Sequence, residues 1–421
     1  MRAADAAVDP FIEREQVHQK KWTVVALLWG AIMIVHFIRV ALGVVAPTLM
    51  RTYHIPPLTM GYVLSGWNWA YTGALIFAGP IVDRWGPWMV MGIGSGVWSL
   101  ATLALPIGTS IAFLFAMRGL FGFGHSMLMP AQALAVSQWF GPKQRATALG
   151  FCFSGGMVGL AMGTTVAAVV LDRFGWAAVF YGFGGASLLF AVLWLALYPD
   201  RQRSHGVRVR TESHSGVSLL SLLRHRSTWG IAMGQFGYLY AYYFFLTWLP
   251  SYFMLERKMS VLKTGFVASL PFWMGVIGTI GGGLLGDYLI RRGFSTTASR
   301  KGIIGVGMSL ATAAVVWAAF ATQTWLAVTL LTLCMGFMRT TTGSGNSLPI
   351  DLAPPGAVGS LTSIQNFAGN IGGLLAPIVT GYIVQSTGSL LMGLVVAGMM
   401  IMFAAFSYIL IVGRLEPIEI A

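Results

Sequence analysis

The sequence predicts an all-α integral membrane protein in which twelve transmembrane helices form two pseudo-symmetric six-helix bundles. The composition is the first reason, because 56% of the 421 residues are hydrophobic and only 9% are charged. Soluble domains of this length do not show that balance. Second, apolar stretches long enough to cross a bilayer, about 20 residues each, recur along the chain. Third, one polar segment divides these stretches into six and six.

Most of the predicted spans are joined by short loops. In order, they cover 22–49, 57–82, 87–107, 111–139, 145–171, 176–198, 229–255, 262–290, 302–321, 324–347, 357–384 and 388–413. The predicted domains are an N-terminal tail (1–21), a first bundle (22–198), a linker (199–227), a second bundle (228–413) and a C-terminal tail (414–421). The first span follows a polar segment without a cleavage site, so no cleavable signal peptide is expected.

The basic residues sort by loop. The net charge of +13 would suggest nucleic acid as the partner of a soluble protein, but here eighteen Lys and Arg fall on the side of the N-terminus, five on the opposite side and three within spans. This is the positive-inside pattern. It predicts a multi-pass protein of the bacterial inner membrane with both termini in the cytoplasm and no nucleic-acid partner. The two cysteines, Cys152 and Cys334, fall inside spans, which argues against a disulfide framework or a metal site.

The two halves of the chain repeat each other. At a constant offset of 213 positions, a stretch after the fourth span reappears after the tenth, for example as Gly156 and Gly369. Similarly, Gly79 with Asp83 is repeated by Gly283 with Asp287 at the end of the eighth span. Matching halves are typical of carriers in which one bundle rocks against the other.

A loop motif that occurs twice and three further stretches carry a resemblance to a known family. The loop motif runs from Gly79 to Gly86 and is repeated in degenerate form at 283–292; the three stretches are Trp139–Ala146, Phe245–Tyr252 and Asp351–Pro354. Together they resemble the major facilitator superfamily and, within it, the anion:cation symporter family of organic-acid transporters. The resemblance implies import of carboxylates, often with protons.

The loop motif contains charged residues at helix ends. Asp83 and Arg84 can pair across a cytoplasmic gate that opens and closes, and Asp287 occupies the repeated position in the second half. The alternative is that these residues only anchor the topology and brace the loops. Both interpretations are open, and neither predicts contact with the substrate.

Arg39, Arg118 and Arg339 fall within spans, where a central arginine costs about 2.5–3.5 kcal/mol on insertion scales. Arginine cannot lose its proton to avoid this cost. All thirteen acidic residues fall in tails, loops or span ends, so the missing partner is predicted to be an anionic cargo. The alternative is that an arginine side chain extends along its helix to the membrane interface (snorkelling). This alternative is strongest for Arg339, which lies near the end of its span.

The resemblance assigns further residues to the substrate site. It implies that Arg39 and Arg118 bind the carboxylate, that Tyr71 contacts the substrate, and that Gln235 and Asn366 add polar contacts from the second half. From the residues alone, these three polar side chains are equally consistent with packing roles. Among the aromatic residues that either line the cavity or pack between helices, the preferred candidates are Tyr240 and Tyr243, on one side of the helix of Gln235. The others are Trp67, Trp69, Tyr238 and Tyr242.

The chain departs from the family pattern at three positions. Ile38 replaces the acidic residue before the first-span arginine, His125 replaces a fourth-span glutamate, and Gly156 replaces a fifth-span glutamine. With these changes, the pocket has fewer side chains that can hydrogen-bond to substrate hydroxyls. We therefore expect a less hydroxylated substrate, such as a small mono- or dicarboxylate or an aromatic acid. His125 titrates near neutral pH when unperturbed and could replace the carboxylate as the proton carrier, with His36 as a second candidate. A neutral hydrogen-bonding role is the alternative.

These observations predict a secondary active transporter that imports a small organic acid with protons. Uniport, anion exchange, proton-driven export and a transporter-shaped sensor are the alternatives. An enzyme is excluded because no catalytic set of residues falls at membrane depth. The expected partners are the organic anion, protons and membrane lipid. A monomer without a cofactor is expected.

Overall fold

The computed structural model describes residues 10–140, 142–199, 219–354 and 357–418, and within them the chain is helical. The predicted linker at 199–227 lies mostly outside the described residues. The first half contains α1 (Pro10–Thr52), α2 (Pro57–Ala104), α3 (Ile111–Ser126), α4 (Leu128–Trp139), α5 (Pro142–Phe174) and α6 (Trp176–Leu197). The second half contains α7 (Leu219–Leu223), α8 (Arg226–Thr247), α9 (Leu249–Ser251), α10 (Val261–Arg291), α11 (Thr296–Phe320), α12 (Thr324–Thr340), α13 (Thr342–Leu352), α14 (Val358–Thr387) and α15 (Leu391–Phe406).

The helices follow the predicted spans, with differences at their ends and breaks. Two spans merge into α2, which turns at Gly86 with φ 73° and ψ 164°, a backbone conformation that favours glycine. Three other spans are interrupted, at Met127 between α3 and α4, at Trp248 between α8 and α9, and at Thr341 between α12 and α13. Short π-helical turns at Tyr252–Glu256 and Ser407–Ile411 extend α9 and α15.

Nine helices among the described residues are long and apolar enough to cross a membrane by themselves. The predicted spans at 57–82, 229–255 and 324–347 do not stand out as separate candidates. These three spans contain Tyr71, Gln235 and Arg339.

The helices pack as two bundles. In the first, α2 packs on α3 and α6, and α1 packs on α5 and α6. In the second, α8 packs on α14 and α15, and α12 packs on α10 and α11. The chain enters the first bundle and leaves the second at one end of the molecule, which we call the tail end; the opposite end is the far end.

The bundles touch each other near the far end. A Cβ at Gly61 of α2 would lie 2.4 Å from the Pro377 carbonyl oxygen of α14, and a Cβ at Gly381 would lie 2.4 Å from the Pro57 carbonyl oxygen. On the other side of the molecule, a Cβ at Gly265 of α10 would lie 2.2 Å from the Ala168 Cβ of α5. Only glycine permits such close backbone approaches. The far end is therefore closed.

The same helix faces separate toward the tail end. Gly79 lies 18 residues after Gly61 and Gly283 lies 18 residues after Gly265, about five helical turns in each case, so each pair shares one face. At Gly79 and Gly283, no other described part of the chain comes within 4 Å of the place a Cβ would occupy. The cleft between the bundles therefore opens at the tail end.

Charged residues at the two ends hold the second bundle together. At the far end, Arg257 donates to the Ala321 carbonyl oxygen at 2.6 Å and to the Tyr252 hydroxyl at 2.7 Å. At the tail end, Arg300 pairs with Asp351. The carboxylate of Asp351 is thus used in an ion pair at a helix end, away from the middle of the membrane.

Candidate functional site

Arg39 lies at the middle of the cleft between aromatic rings of both bundles. Its Cζ is 4.2 Å from the ring centroid of Trp67 on α2 and 4.8 Å from that of Tyr243 on α8. Its Nε is buried without a hydrogen-bond partner among the described residues. The π faces stabilise the cation but do not neutralise it. The guanidinium therefore keeps its charge and unused donor capacity.

Arg118 lies deeper in the first bundle, with 2% of its surface exposed. It reaches this position because α3 approaches α2 at Gly66, where a Cβ would lie 3.2 Å from the Arg118 Cβ. Its Cζ is 5.3 Å from the ring of Phe121, and within the described chain its Nε has no hydrogen-bond partner. A buried arginine normally has several hydrogen-bond partners, so this site is electrostatically incomplete.

Two histidine rings complete the first-bundle part of the cluster. The His125 ring centroid is 4.9 Å from that of Tyr71, 5.7 Å from that of Trp67 and 6.4 Å from that of His36. His125 is 4% exposed, and its Nδ1 has no hydrogen-bond partner in the described part of the chain. The structure therefore brings together Arg39, Arg118, Tyr71, His125 and His36.

His36 is oriented by its own helix. Its Nδ1 lies 2.8 Å from the Ile32 carbonyl oxygen, one turn earlier on α1. Since a carbonyl can only accept, Nδ1 must donate, and the other nitrogen, Nε2, is the acceptor in the neutral ring. That nitrogen points towards α5, where a Cβ at Gly156 would lie 3.3 Å from it. The imidazole thus occupies the space that a fifth-span side chain would fill.

Arg339 supplies the charge of the second bundle. Its Nε donates to the Thr279 hydroxyl at 3.2 Å, one terminal nitrogen donates to the Tyr238 hydroxyl at 3.1 Å, and its Cζ lies 5.5 Å from the ring of Tyr242. The guanidinium is therefore held among α8, α10 and α12 and does not extend to the tail-end surface. Snorkelling does not describe its position.

The three arginines share one electrostatic feature. In the part of the chain that the structure describes, none of them forms an ion pair with a carboxylate. Asp83, Arg84 and Asp287, the predicted gate residues, are exposed at the tail end and likewise form no ion pair among the described residues. The cleft is thus a cationic site without a fixed counter-charge.

Other predicted contacts lie apart from this cluster. The Gln235 amide oxygen accepts from the Tyr408 hydroxyl at 2.8 Å, so its side chain turns into the second bundle. Asn366 is exposed on α14. Tyr240 is buried beside Thr380, and two residues along a helix place it on the face opposite Tyr238 and Tyr242. In this conformation these three residues do not contact the arginines.

Some residues of the site carry no strong sequence signal. Thr279 follows no motif, and its role depends on the packing of α10 against α12. Of the two rings that enclose Arg39, Tyr243 is a preferred candidate from the sequence, but no pattern selects Trp67 from the other aromatic residues. A polar or aromatic residue facing a buried arginine from another helix can be found only when the helix pairing is known.

The site is suited to binding an anion. Guanidinium groups with free donors bind carboxylates through paired hydrogen bonds. Within the described ranges, no three His, Cys, Asp or Glu residues are grouped to hold a metal ion. Two helical bundles, a cleft open at one end and a charged site at membrane depth define the protein as a membrane carrier.

Comparison with known proteins identifies the family. A sequence model of the Major Facilitator Superfamily matches residues 28–377. The chain is 30% identical to a protein of Bacillus subtilis (strain 168) named probable galactarate/D-glucarate transporter GudP, over 99% of this chain and 97% of that protein. It is 28% identical to the D-galactonate transporter of Escherichia coli O6:H1, over 95% of this chain and 97% of that protein. The chain belongs to the Major Facilitator Superfamily.

The fold agrees with solved structures. A bacterial homolog of the human lysosomal transporter Spinster, crystallised in an inward-facing and unoccupied conformation, superposes with a TM-score of 0.78 at 16% sequence identity. The match covers 93% of this chain and 97% of that chain. The predicted fold of two six-helix bundles is thereby confirmed. The family match and the named relatives confirm the predicted transporter class and the expectation that the chain is not an enzyme.

Proposed function

We propose that this protein carries a small organic-acid anion across the membrane by alternating access, and that Arg39 and Arg118 bind its carboxylate. The observation that carries the proposal is the pair of buried guanidinium groups whose Nε atoms lack partners, in a cleft without a described counter-ion. An incoming carboxylate supplies both the negative charge and the acceptors. The names of the relatives, which specify galactarate, D-glucarate and D-galactonate, support this substrate class.

The charge pattern predicts which side of the membrane the open end of the cleft faces. If the excess of Lys and Arg places the tail end in the cytoplasm, the described conformation is open to the cytoplasm and closed to the outside. It is then the state that releases an imported substrate. The exposed glycines Gly79 and Gly283, with Asp83, Arg84 and Asp287 one turn further on, form the surface that closes when the bundles rock to the other state.

Proton coupling is assigned to His125. A carboxylate bound by Arg118 and Arg39 brings negative charge beside the imidazole and stabilises its protonated form, and release of the carboxylate removes that stabilisation. Anion and proton therefore favour each other's binding, as symport requires. His36 is the second candidate: its Nδ1 donates to the Ile32 carbonyl oxygen, and its Nε2, which would take the proton, faces Gly156 of α5. A uniporter or exchanger would use the same arginines without needing either histidine.

Uptake into proteoliposomes tests the proposal. Radiolabelled mono-, di- and aromatic carboxylates are offered with and without an inward proton gradient to the parent, Arg118→Ala and His125→Ala. Arg51→Ala is the matched control, because Arg51 is exposed at the far end of the same helix that carries Arg39.

We expect the gradient to drive accumulation in the parent and in Arg51→Ala. Arg118→Ala should abolish uptake, and His125→Ala should permit equilibration without accumulation. Gradient-independent flux in the parent would identify a uniporter or exchanger. No flux of any carboxylate would refute the proposal and favour a proton-driven exporter or a sensor.

A further inference from the structure

The position of Arg339 raises the question of how many anionic groups the site holds. Arg39 and Arg118 lie in the first bundle and Arg339 lies in the second, on the opposite wall of the cleft. Both of the hydroxyls that Arg339 meets are neutral. They orient the guanidinium without compensating its charge, and no described carboxylate does so. A single carboxylate bound to Arg39 and Arg118 would leave the positive charge of Arg339 without a counter-charge.

The two walls are connected through a pair of adjacent tyrosines. Arg39 lies 4.8 Å from the ring of Tyr243, the rings of Tyr243 and Tyr242 are 6.1 Å apart, and Arg339 lies 5.5 Å from the ring of Tyr242. Each step is a single ring contact. This path sets an upper limit on the separation of the two guanidinium groups, and a small elongated molecule with an anionic group at each end fits within that limit.

The orientation of Arg339 leaves it able to accept a second ligand. Its Nε and one terminal nitrogen donate to Thr279 and Tyr238, and the Tyr238 hydroxyl is itself fixed by the Thr342 hydroxyl at 2.8 Å. No hydrogen bond is recorded, within the described chain, for the other terminal nitrogen. A guanidinium fixed on one edge and open on another is positioned to bind a carboxylate oxygen.

Resting on the proposed function, we infer that the substrate is a dicarboxylate that spans the cleft, with one carboxylate on Arg39 and Arg118 and the other on Arg339. A linear chain of about four to six carbons, with a guanidinium bonded to each end, matches the ring path between the two walls. The tyrosine pair contacts the carbon chain. Binding then links the bundles through the substrate, since each bundle holds one end of it.

Matched pairs of acids test the inference, because the members of a pair differ only at one end. Adipate is compared with 6-hydroxyhexanoate, and galactarate with galactonate, by uptake into proteoliposomes and by mutual competition. The variants are Arg339→Gln, which keeps hydrogen-bonding capacity but loses the charge, and Arg339→Lys, which keeps the charge but loses the planar fork. Thr279→Ala removes one tether without changing any charge.

We expect the parent to prefer the dicarboxylate of at least one pair by about tenfold or more, since a charge-assisted contact is lost with the alcohol. Arg339→Gln should remove this preference by lowering uptake of the dicarboxylate, while uptake of the monocarboxylate stays within about twofold of the parent. Arg339→Lys should be intermediate. Thr279→Ala should lower the preference several-fold.

The outcomes separate this inference from the function on which it rests. Uptake of both members of each pair without preference, or a preference that survives in Arg339→Gln, would overturn the dicarboxylate inference and leave carboxylate transport intact. If Arg339→Gln, Arg339→Lys and Thr279→Ala all reduce uptake of both members of a pair equally, Arg339 has a structural role, and the dicarboxylate inference is also overturned. Absence of uptake for all four acids in the parent would instead count against the proposed function.

Discussion

The two bundles meet at the cleft with similar frames and different chemistry. The frames match: α2 and α10 each present a glycine at the far end, Gly61 and Gly265, where the neighbouring bundle comes closest. The chemistry differs, because the first bundle contributes two histidines and two arginines whose buried Nε atoms have no partner among the described residues, whereas the second contributes one arginine held by hydroxyls. Under the proposed function, the repeated frame allows the movement, and the different side chains of the two halves select what is carried.

The largest effect should come from the first-bundle arginines. Arg118→Gln removes one of the two buried charges that are proposed to bind the carboxylate, and we expect carboxylate uptake to fall by about 100-fold or more. Arg339→Gln should be milder and should affect only the dicarboxylate. Initial uptake rates in proteoliposomes, normalised to protein reconstituted, measure both. If Arg339→Gln is as damaging as Arg118→Gln for every acid, the proposed difference between the bundles is wrong.

Substitution of His125 should remove proton coupling without removing substrate binding. In His125→Gln, accumulation driven by a proton gradient should be lost, whereas exchange of internal for external substrate should continue, because exchange needs no return of the empty site. His36→Gln is the matched comparison and should retain most of the accumulation. The steady-state ratio of internal to external substrate, measured at several imposed gradients, distinguishes them. A larger loss in His36→Gln would reverse the assignment.

The glycine contacts should respond alike in both bundles. Gly61→Ala and Gly265→Ala each insert a methyl into the closed far end, which costs about 1–3 kcal/mol and should shift the population toward the far-open state by about tenfold or more. Spin labels at Tyr53→Cys and Tyr382→Cys, exposed at the far end on opposite bundles, report the opening as a longer distance. The native Cys152 and Cys334 are buried and do not compete for the label.

Gly79→Ala and Gly283→Ala are the controls for that experiment. Their Cβ positions are open in the described conformation, so they should leave the far-end distance unchanged or favour this conformation further. A strong effect at Gly61 without one at Gly265 would mean that the frames of the two bundles are less alike than their contacts indicate.

The smallest effects should distinguish the tyrosines of α8. Tyr243→Leu removes one of the two rings that enclose Arg39 and should weaken substrate affinity several-fold, as expected for a partly desolvated cation–π contact. Tyr240→Phe removes a buried hydroxyl that has no hydrogen-bond partner among the described residues, and uptake should stay within about twofold of the parent. Competition curves against one labelled acid measure the affinities. A stronger effect at Tyr240 would place that ring in the site after all.

The fold could be predicted from the sequence, and so could the presence of charged residues inside the helical bundles; that these residues bind the substrate stays a prediction. Arg39, Arg118 and Arg339 could be identified because a charge at membrane depth is costly and usually marks a cavity or a transport pathway. All acidic residues could be assigned to tails, loops or span ends. The conformation could not be predicted, because both states use the same helices and differ only in which faces touch. Thr279 and the contact of His36 over Gly156 also depend on which helices are neighbours.

The aromatic residues show a second limit of the sequence. Tyr240 and Tyr243 are three positions apart on one helix, and spacing alone indicates that they lie near each other. It does not indicate which of them faces the cleft, because α8 is buried nearly all round. Only the packing of α8 against α14 and α15 turns Tyr243 toward Arg39 and leaves Tyr240 beside Thr380.

The unbalanced arginines also have an electrical consequence. A guanidinium stays protonated at any physiological pH, so the empty cleft carries fixed positive charge whichever side it faces. Moving one such charge across the whole membrane field is worth about 2.3 kcal/mol per 100 mV. If the tail end lies in the cytoplasm, as the charge pattern predicts, an interior-negative voltage holds the empty carrier open to the cytoplasm and slows its return. The bound anion offsets this charge, so the current carried by the empty carrier should depend on voltage more steeply than the loaded step.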